Sequence, residues 1–235
     1  MPGILGLTAT LTLSAVLALP SAGHATPDAD PIRSLRELIS APAAGEKPGP
    51  DSSKLTEALL SGADDLPAGF TPQLDAIDDL FARIPAEIAT CGRTSGVQNG
   101  TVYREFVRGP KDEELLVETL SAPGPKKARA AVAAVRTALP KCASFVRPPG
   151  ELPMELKFSV SPYDTAPALG DSSAAVAFVM DVPEMSLTVH GRLLTAAVRG
   201  ATVTLVLMTE DEPKAADLEA AARGAVAKAA SVLSR

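Results

Sequence analysis

The apolar pattern changes period several times along the chain, and each change marks an element. Ile4–Leu19 is an apolar run broken only by Thr and Ser, with no charged side chain nearby. It is short for a bilayer span of about 20 residues. Small residues follow, placing Gly23 and Ala25 at the −3 and −1 positions of an export cleavage site. Residues 1–25 therefore read as a signal peptide, cut after Ala25. Residues 26–50 are rich in Pro, Ala, Asp and Gly, and only Ile32–Ile39 keeps a short helical period. They read as a flexible leader. Residues 51–235 carry the periodic patterns of a folded domain.

Within that domain, Ser53–Leu60 is helix-compatible, with Asp51 or Ser52 as N-cap. Leu74–Ile88 places Ile77, Leu80, Phe81 and Ile84 on one helical stripe, and Pro85 is expected to kink or end it. Val102–Val107 and Leu115–Leu120 are β-prone runs around a polar turn and predict a hairpin. Gly124-Pro125 opens a helix lined by Ala128, Val132, Val135 and Leu139, and Pro140 stops it. Leu156–Val160 alternates strictly, and Ala174–Met180 is continuously apolar. Leu187–Val198 and Thr202–Met208 flank a turn at Arg199-Gly200-Ala201, and Pro213–Leu233 is an amphipathic helix. Short turns between successive strands give antiparallel neighbours. The expected fold is α+β: an antiparallel sheet of about six strands, with helices mainly on one face.

Composition narrows the function. The formal charge is −6 and aromatics are 3% of the chain, with no Trp. Such a chain is poorly suited to a nucleic-acid backbone or an anionic membrane surface, and stacking platforms are scarce. No segment after the first is long and apolar enough to span a membrane, so the expected location is extracytoplasmic and soluble.

Cys91 and Cys142 are the only two cysteines. A lone thiol pair in an exported chain predicts a structural disulfide, with Cα atoms about 4.4–6.8 Å apart. Pairing removes thiol chemistry. Only His190 remains once His24 leaves with the signal, so a His-rich metal site is excluded. No metal, cofactor or catalytic residue is expected. A hydrolase would need Ser172, in GDSS, with His190 as its only base. His190 is out of phase with Leu187 and Val189, and Gly170-Asp171-Ser172 reads better as a turn before a strand. The acidic pairs Asp64-Asp65, Asp78-Asp79 and Glu113-Glu114 fit solvated turns or helix faces. Tyr103, Tyr163 and His190 are the candidate residues of a ligand cleft; the alternative is core or rim packing for the two tyrosines and an exposed strand position for the histidine.

Several segments in order carry a resemblance: LPAGF at Leu66–Phe70, the helix ARAAVAAVRTALPKCASF, GDSSAAVAF at Gly170–Phe178, VRGATVTLVL at Val198–Leu207, and the Ala-rich closing helix. This set resembles the extracellular sensor domain of actinobacterial serine/threonine kinases and of related stand-alone exported lipoproteins. The resemblance implies a non-catalytic domain with a twisted antiparallel sheet, disulfide staples and a ligand cleft. The kinase form usually has two disulfides, whereas this chain has cysteines for one and no lipidation cysteine after Leu19. The expected function is a secreted, non-catalytic, sensor-like domain that binds a small molecule or envelope component. The alternative is a carrier for a lipid or other apolar molecule, which would need an apolar cavity between sheet and helices.

Overall fold

All six expected strands form, and two short ones join them. The computed structural model describes residues 52–62, 64–73, 80–93, 100–110, 113–149 and 154–235. The expected signal peptide, the leader, Asp51, Asp78-Asp79 and the first part of the Leu74–Ile88 stripe lie outside these residues. In chain order the elements are α1 (Ser52–Ala58), β1 (Thr71–Pro72), α2 (Leu80–Thr90), β2 (Val102–Arg108), β3 (Glu114–Ser121) and α3 (Pro125–Ala138). Next come β4 (Ser144–Arg147), β5 (Leu156–Pro162), β6 (Ser172–Val182), a short 3₁₀ turn, β7 (Leu187–Val198), β8 (Ala201–Thr209) and α4 (Ala215–Val232).

The strands form one open antiparallel sheet in the order β1-β2-β3-β8-β7-β6-β5-β4. This is the expected α+β class, with eight strands instead of about six. The β7–β8 turn puts Arg199 and Gly200 in the left-handed region between the paired Val198 and Ala201, as a tight hairpin turn requires.

The helices divide between the two faces, instead of lying mainly on one as expected. Helices α2 and α3 pack with Val117, Phe158, Phe178, Leu193 and Val206 on one face. Helices α1 and α4 pack with Phe106, Leu116, Leu194, Leu205 and Leu207 on the other. The cause is legible in the strands. Consecutive residues of β3, β7 and β8 are buried, so both faces at the centre of the sheet need cover. In β5 the burial alternates, and only the α2–α3 face is covered there.

Pro85 does not end α2, which runs on to Thr90. Proline removes one backbone donor and crowds the preceding turn. Burial of Phe81, Ile84 and Ile88 offsets that cost. Helix α3 follows the sequence reading closely, with Ala128, Val132, Val135 and Ala138 buried. Cys91 and Cys142 form the expected disulfide, with Cα atoms 5.2 Å apart. It ties the residue after α2 to the segment between α3 and β4. Among the described residues no helix is long and apolar enough to cross a membrane.

Candidate functional site

The site is assembled where the end of α1 meets α4. After Ala58 the chain leaves the helix through Leu59 and Leu60, both buried, and turns at Ser61-Gly62. Asp65 N–H donates to Gly62 O at 3.0 Å and closes the turn. The Asp65 carboxylate then accepts Ser61 N–H at 3.1 Å, Ser61 O–H at 3.2 Å and Lys228 Nζ of α4 at 2.7 Å. Lys228 Nζ also donates to Ser61 Oγ at 2.6 Å. The Lys228 hydrogen bond, against some burial, holds the Asp65 carboxyl below its usual range.

Helix α4 reaches this turn because it presents Gly224. A Cβ at that position would lie 3.0 Å from the Asp65 backbone oxygen, tighter than side chains normally tolerate. Between turn and helix lies a cleft of about 760 Å³, lined by Glu57, Ser61, Asp65, Gly224, Lys228 and Arg235 among others. Arg235 pairs with Glu57 at 3.3 Å on its exposed rim. Polar and charged groups converge on the cleft from α1, the turn and α4, as in sites that orient a polar ligand.

Glu118 of β3 lies beneath this wall and is fully buried. Its Oε2 accepts Leu60 N–H at 2.7 Å, and Arg104 Nη1 of β2 donates to Leu60 O at 2.6 Å. Both backbone groups of Leu60 are thus held by side chains from the sheet. Burial pushes the Glu118 carboxyl up to about 7, against the opposing pull of the Leu60 N–H, Arg104 and Lys228.

A second polar cluster is structural. Arg108 of β2 pairs with Glu114 and Asp217, donates to Ala68 O at 3.2 Å and sits 4.3 Å above the Phe70 ring. This explains LPAGF: the buried Phe70 and the Ala68 carbonyl are anchored by one guanidinium that also ties β2 and β3 to the start of α4.

The sequence-predicted ligand residues are not brought together. Tyr103 of β2 is half-buried on the α2–α3 face, opposite Thr119. Tyr163 and His190 belong to the other face. Tyr163 is buried, donates to Glu219 Oε1 at 2.8 Å, and lies under Arg192 at 4.8 Å. His190 is half-buried between Val179 and Thr209 in the register. None of the three lines the cleft. Ser172 and His190 cannot form a dyad. Ser172 pairs with Ala197 and His190 with Val179, so they lie about 23 Å apart along the strands and on opposite faces.

The residues that do build the cleft were passed over in the sequence because an adjacent Asp-Asp in a turn is an ordinary solvated feature. The available signal was Glu118. It places a carboxyl in the middle of a β-prone run, in phase with the apolar Leu116 and Leu120, and such a residue asks for a partner.

The fold and site together define an α+β domain with an open antiparallel sheet, helices on both faces, one disulfide and a polar cleft. No family model matches the chain, and comparison with curated proteins finds no match. Among solved structures, the chain is similar to the extracellular domain of PknH from Mycobacterium tuberculosis. The identity is 13%, the match covers 81% of this chain and 99% of that one, and the TM-score is 0.48.

Proposed function

We propose that the chain is an exported, non-catalytic, sensor-like domain that binds a small polar molecule of the envelope or medium in the cleft between the α1–β1 turn and α4. The observation that carries this reading is the Ser61–Asp65–Lys228 constellation on the cleft wall, held in place by hydrogen bonds of 2.6–3.2 Å. A prearranged donor and acceptor set of this kind orients a ligand without first having to be ordered. The disulfide and the signal-like first segment support an oxidising compartment. The resemblance of the ordered segments to kinase sensor domains supports the non-catalytic reading.

An apolar carrier is less well supported. The cleft lies at the surface beside α4 and carries Glu57, Asp64, Asp65, Lys228 and Arg235. Apolar cargo would desolvate those charged groups and offer them no hydrogen bonds in return.

Amide NMR of the full chain, titrated with pools of amino acids, sugars and cell-wall fragments, tests the proposal. Binding should shift residues 60–66 and 224–232 and be lost in Lys228→Ala. Shifts confined to the surroundings of Tyr163 and His190, or persisting unchanged in the variant, would place the site elsewhere.

A further inference from the structure

Glu118 is a buried acid with incomplete compensation. One carboxyl oxygen accepts the Leu60 N–H, while the other has no hydrogen-bond partner. Charged groups act on it from three directions: Arg104 of β2, Lys228 of α4, and Asp65 of the turn, which opposes ionisation. Its cross-strand neighbour on β8, Leu205, is apolar. Arg104 is directed to the Leu60 carbonyl, and Lys228 is already engaged by Asp65 and Ser61. Neither cation is therefore dedicated to Glu118. Above it, Leu60 leads into Ser61, which lines the cleft together with Asp65.

We propose that Glu118 is a proton-operated latch for Leu60 and Ser61, where the chain leaves α1 and enters the cleft wall. With the proton on, this segment closes over a neutral carboxyl that still accepts the Leu60 N–H. With the proton off, an unhydrated charge lies beneath the segment, and opening to water relieves it.

The linkage has one sign. Burial raises Glu118 from 4.5 to about 7 in the closed state, so the closed state binds the proton more tightly than an open, hydrated one. Opening therefore becomes easier as pH rises through this window, by up to roughly two orders of magnitude if opening hydrates the group completely. The latch regulates the cleft proposed above, and its bearing on binding rests on that reading. Its test uses the ligand-free chain, so it holds or fails whatever the cleft takes up.

The test is native-state hydrogen exchange of the oxidised full chain between about pH 5 and about pH 8.5, corrected for intrinsic exchange, with Glu118→Gln as comparison. Glutamine keeps a carbonyl for Leu60 N–H but cannot ionise. In the wild type, Leu60 and Ser61 should exchange by a local opening, faster than the central β7–β8 amides. Their protection should fall by about ten- to a hundred-fold across the range. In Glu118→Gln that fall should vanish. The proposal is overturned if Leu60 exchanges together with the β7–β8 amides at every pH, or if the variant shows the same fall. Should the variant fail to fold, the Glu118 carboxyl carbon of the wild type decides. Its titration must share a midpoint with the change at Leu60, and a different midpoint rejects the latch.

Discussion

Glu118 accepts the backbone N–H of Leu60 at 2.7 Å across 58 positions of sequence, and the bond joins the middle of β3 to the end of α1. An acid placed there makes the stability of the whole fold depend on pH. Its carboxyl is raised from 4.5 to about 7 in the folded chain. The stabilisation from holding the proton is complete below about pH 4.5 and is lost as pH rises through about 7. The loss is on the order of 3 kcal/mol. Wild type should therefore melt at a lower temperature at pH 8 than at pH 5, by several degrees more than Glu118→Gln does. Equal pH dependence of the two proteins would assign the effect to another group.

Asp65 gives the opposite sign. Its carboxyl is held below the usual 3.8, first by the Lys228 hydrogen bond. Its contribution is present above the ordinary carboxylate range and is lost as pH falls through the lowered value. The pair is partly exposed, with side-chain accessibilities of 22% for Lys228 and 33% for Asp65, so solvent screens it. Lys228→Met should cost no more than about 1 kcal/mol at neutral pH. Carbon-13 titration of Asp65 should show its midpoint moving up in that variant.

Replacing Gly224 by Ala in a helix would ordinarily stabilise by about 1 kcal/mol. Here the new Cβ would meet the Asp65 carbonyl oxygen at 3.0 Å. That oxygen belongs to a turn pinned by Ser61 and Lys228, so it cannot retreat freely. Gly224→Ala should forfeit the helical gain, and Gly224→Val should be clearly destabilising. Chemical denaturation measures both, and a stabilised Ala variant would show that the turn yields.

The Cys91–Cys142 bond closes a separation of 51 residues. In the chain-entropy view a loop of that size contributes about 4 kcal/mol at most. The Cys91→Ser/Cys142→Ser variant should unfold at lower denaturant with a similar native circular dichroism spectrum. The bond lies on the α2–α3 side of the sheet and the cleft on the other. Amide shifts of residues 60–66 should therefore remain close to those of the oxidised protein.

The sequence revealed elements whose burial imposes a period. Helix α3 buries Ala128, Val132 and Val135 at helical spacing, and β5 buries Leu156, Phe158 and Val160 at spacing two. Both were legible. Strands β1 and β4 were not: Thr71–Pro72 is exposed, and Ser144–Arg147 has only Arg147 buried, so no apolar alternation announces either. The two-sided cover was missed for a related reason. Continuous burial in β3, β7 and β8 reads only as a central strand, without saying which helix covers which face. The cleft was the least legible part. Asp65, Gly224 and Lys228 are unremarkable residues on two elements, and their chemistry arises from where α4 crosses the turn.

The strand order carries a consequence for how the chain folds. Strands β4 to β8 form an unbroken meander, each pairing with its neighbour in sequence. The β3–β8 pairing is different, because it sets Ser121 opposite Thr202 and Glu114 opposite Thr209. Loop-closure entropy opposes such distant contacts until local ones exist. The meander should therefore assemble first and β3 should dock late. Until it does, β8 is an unpaired edge at what becomes the centre of the sheet, and an apolar edge of this kind invites association with other chains. Kinetic analysis would show this as slower folding for truncations in the β7–β8 hairpin and mainly faster unfolding for Leu116→Ala in β3. The reverse pattern would put β3 in the folding nucleus.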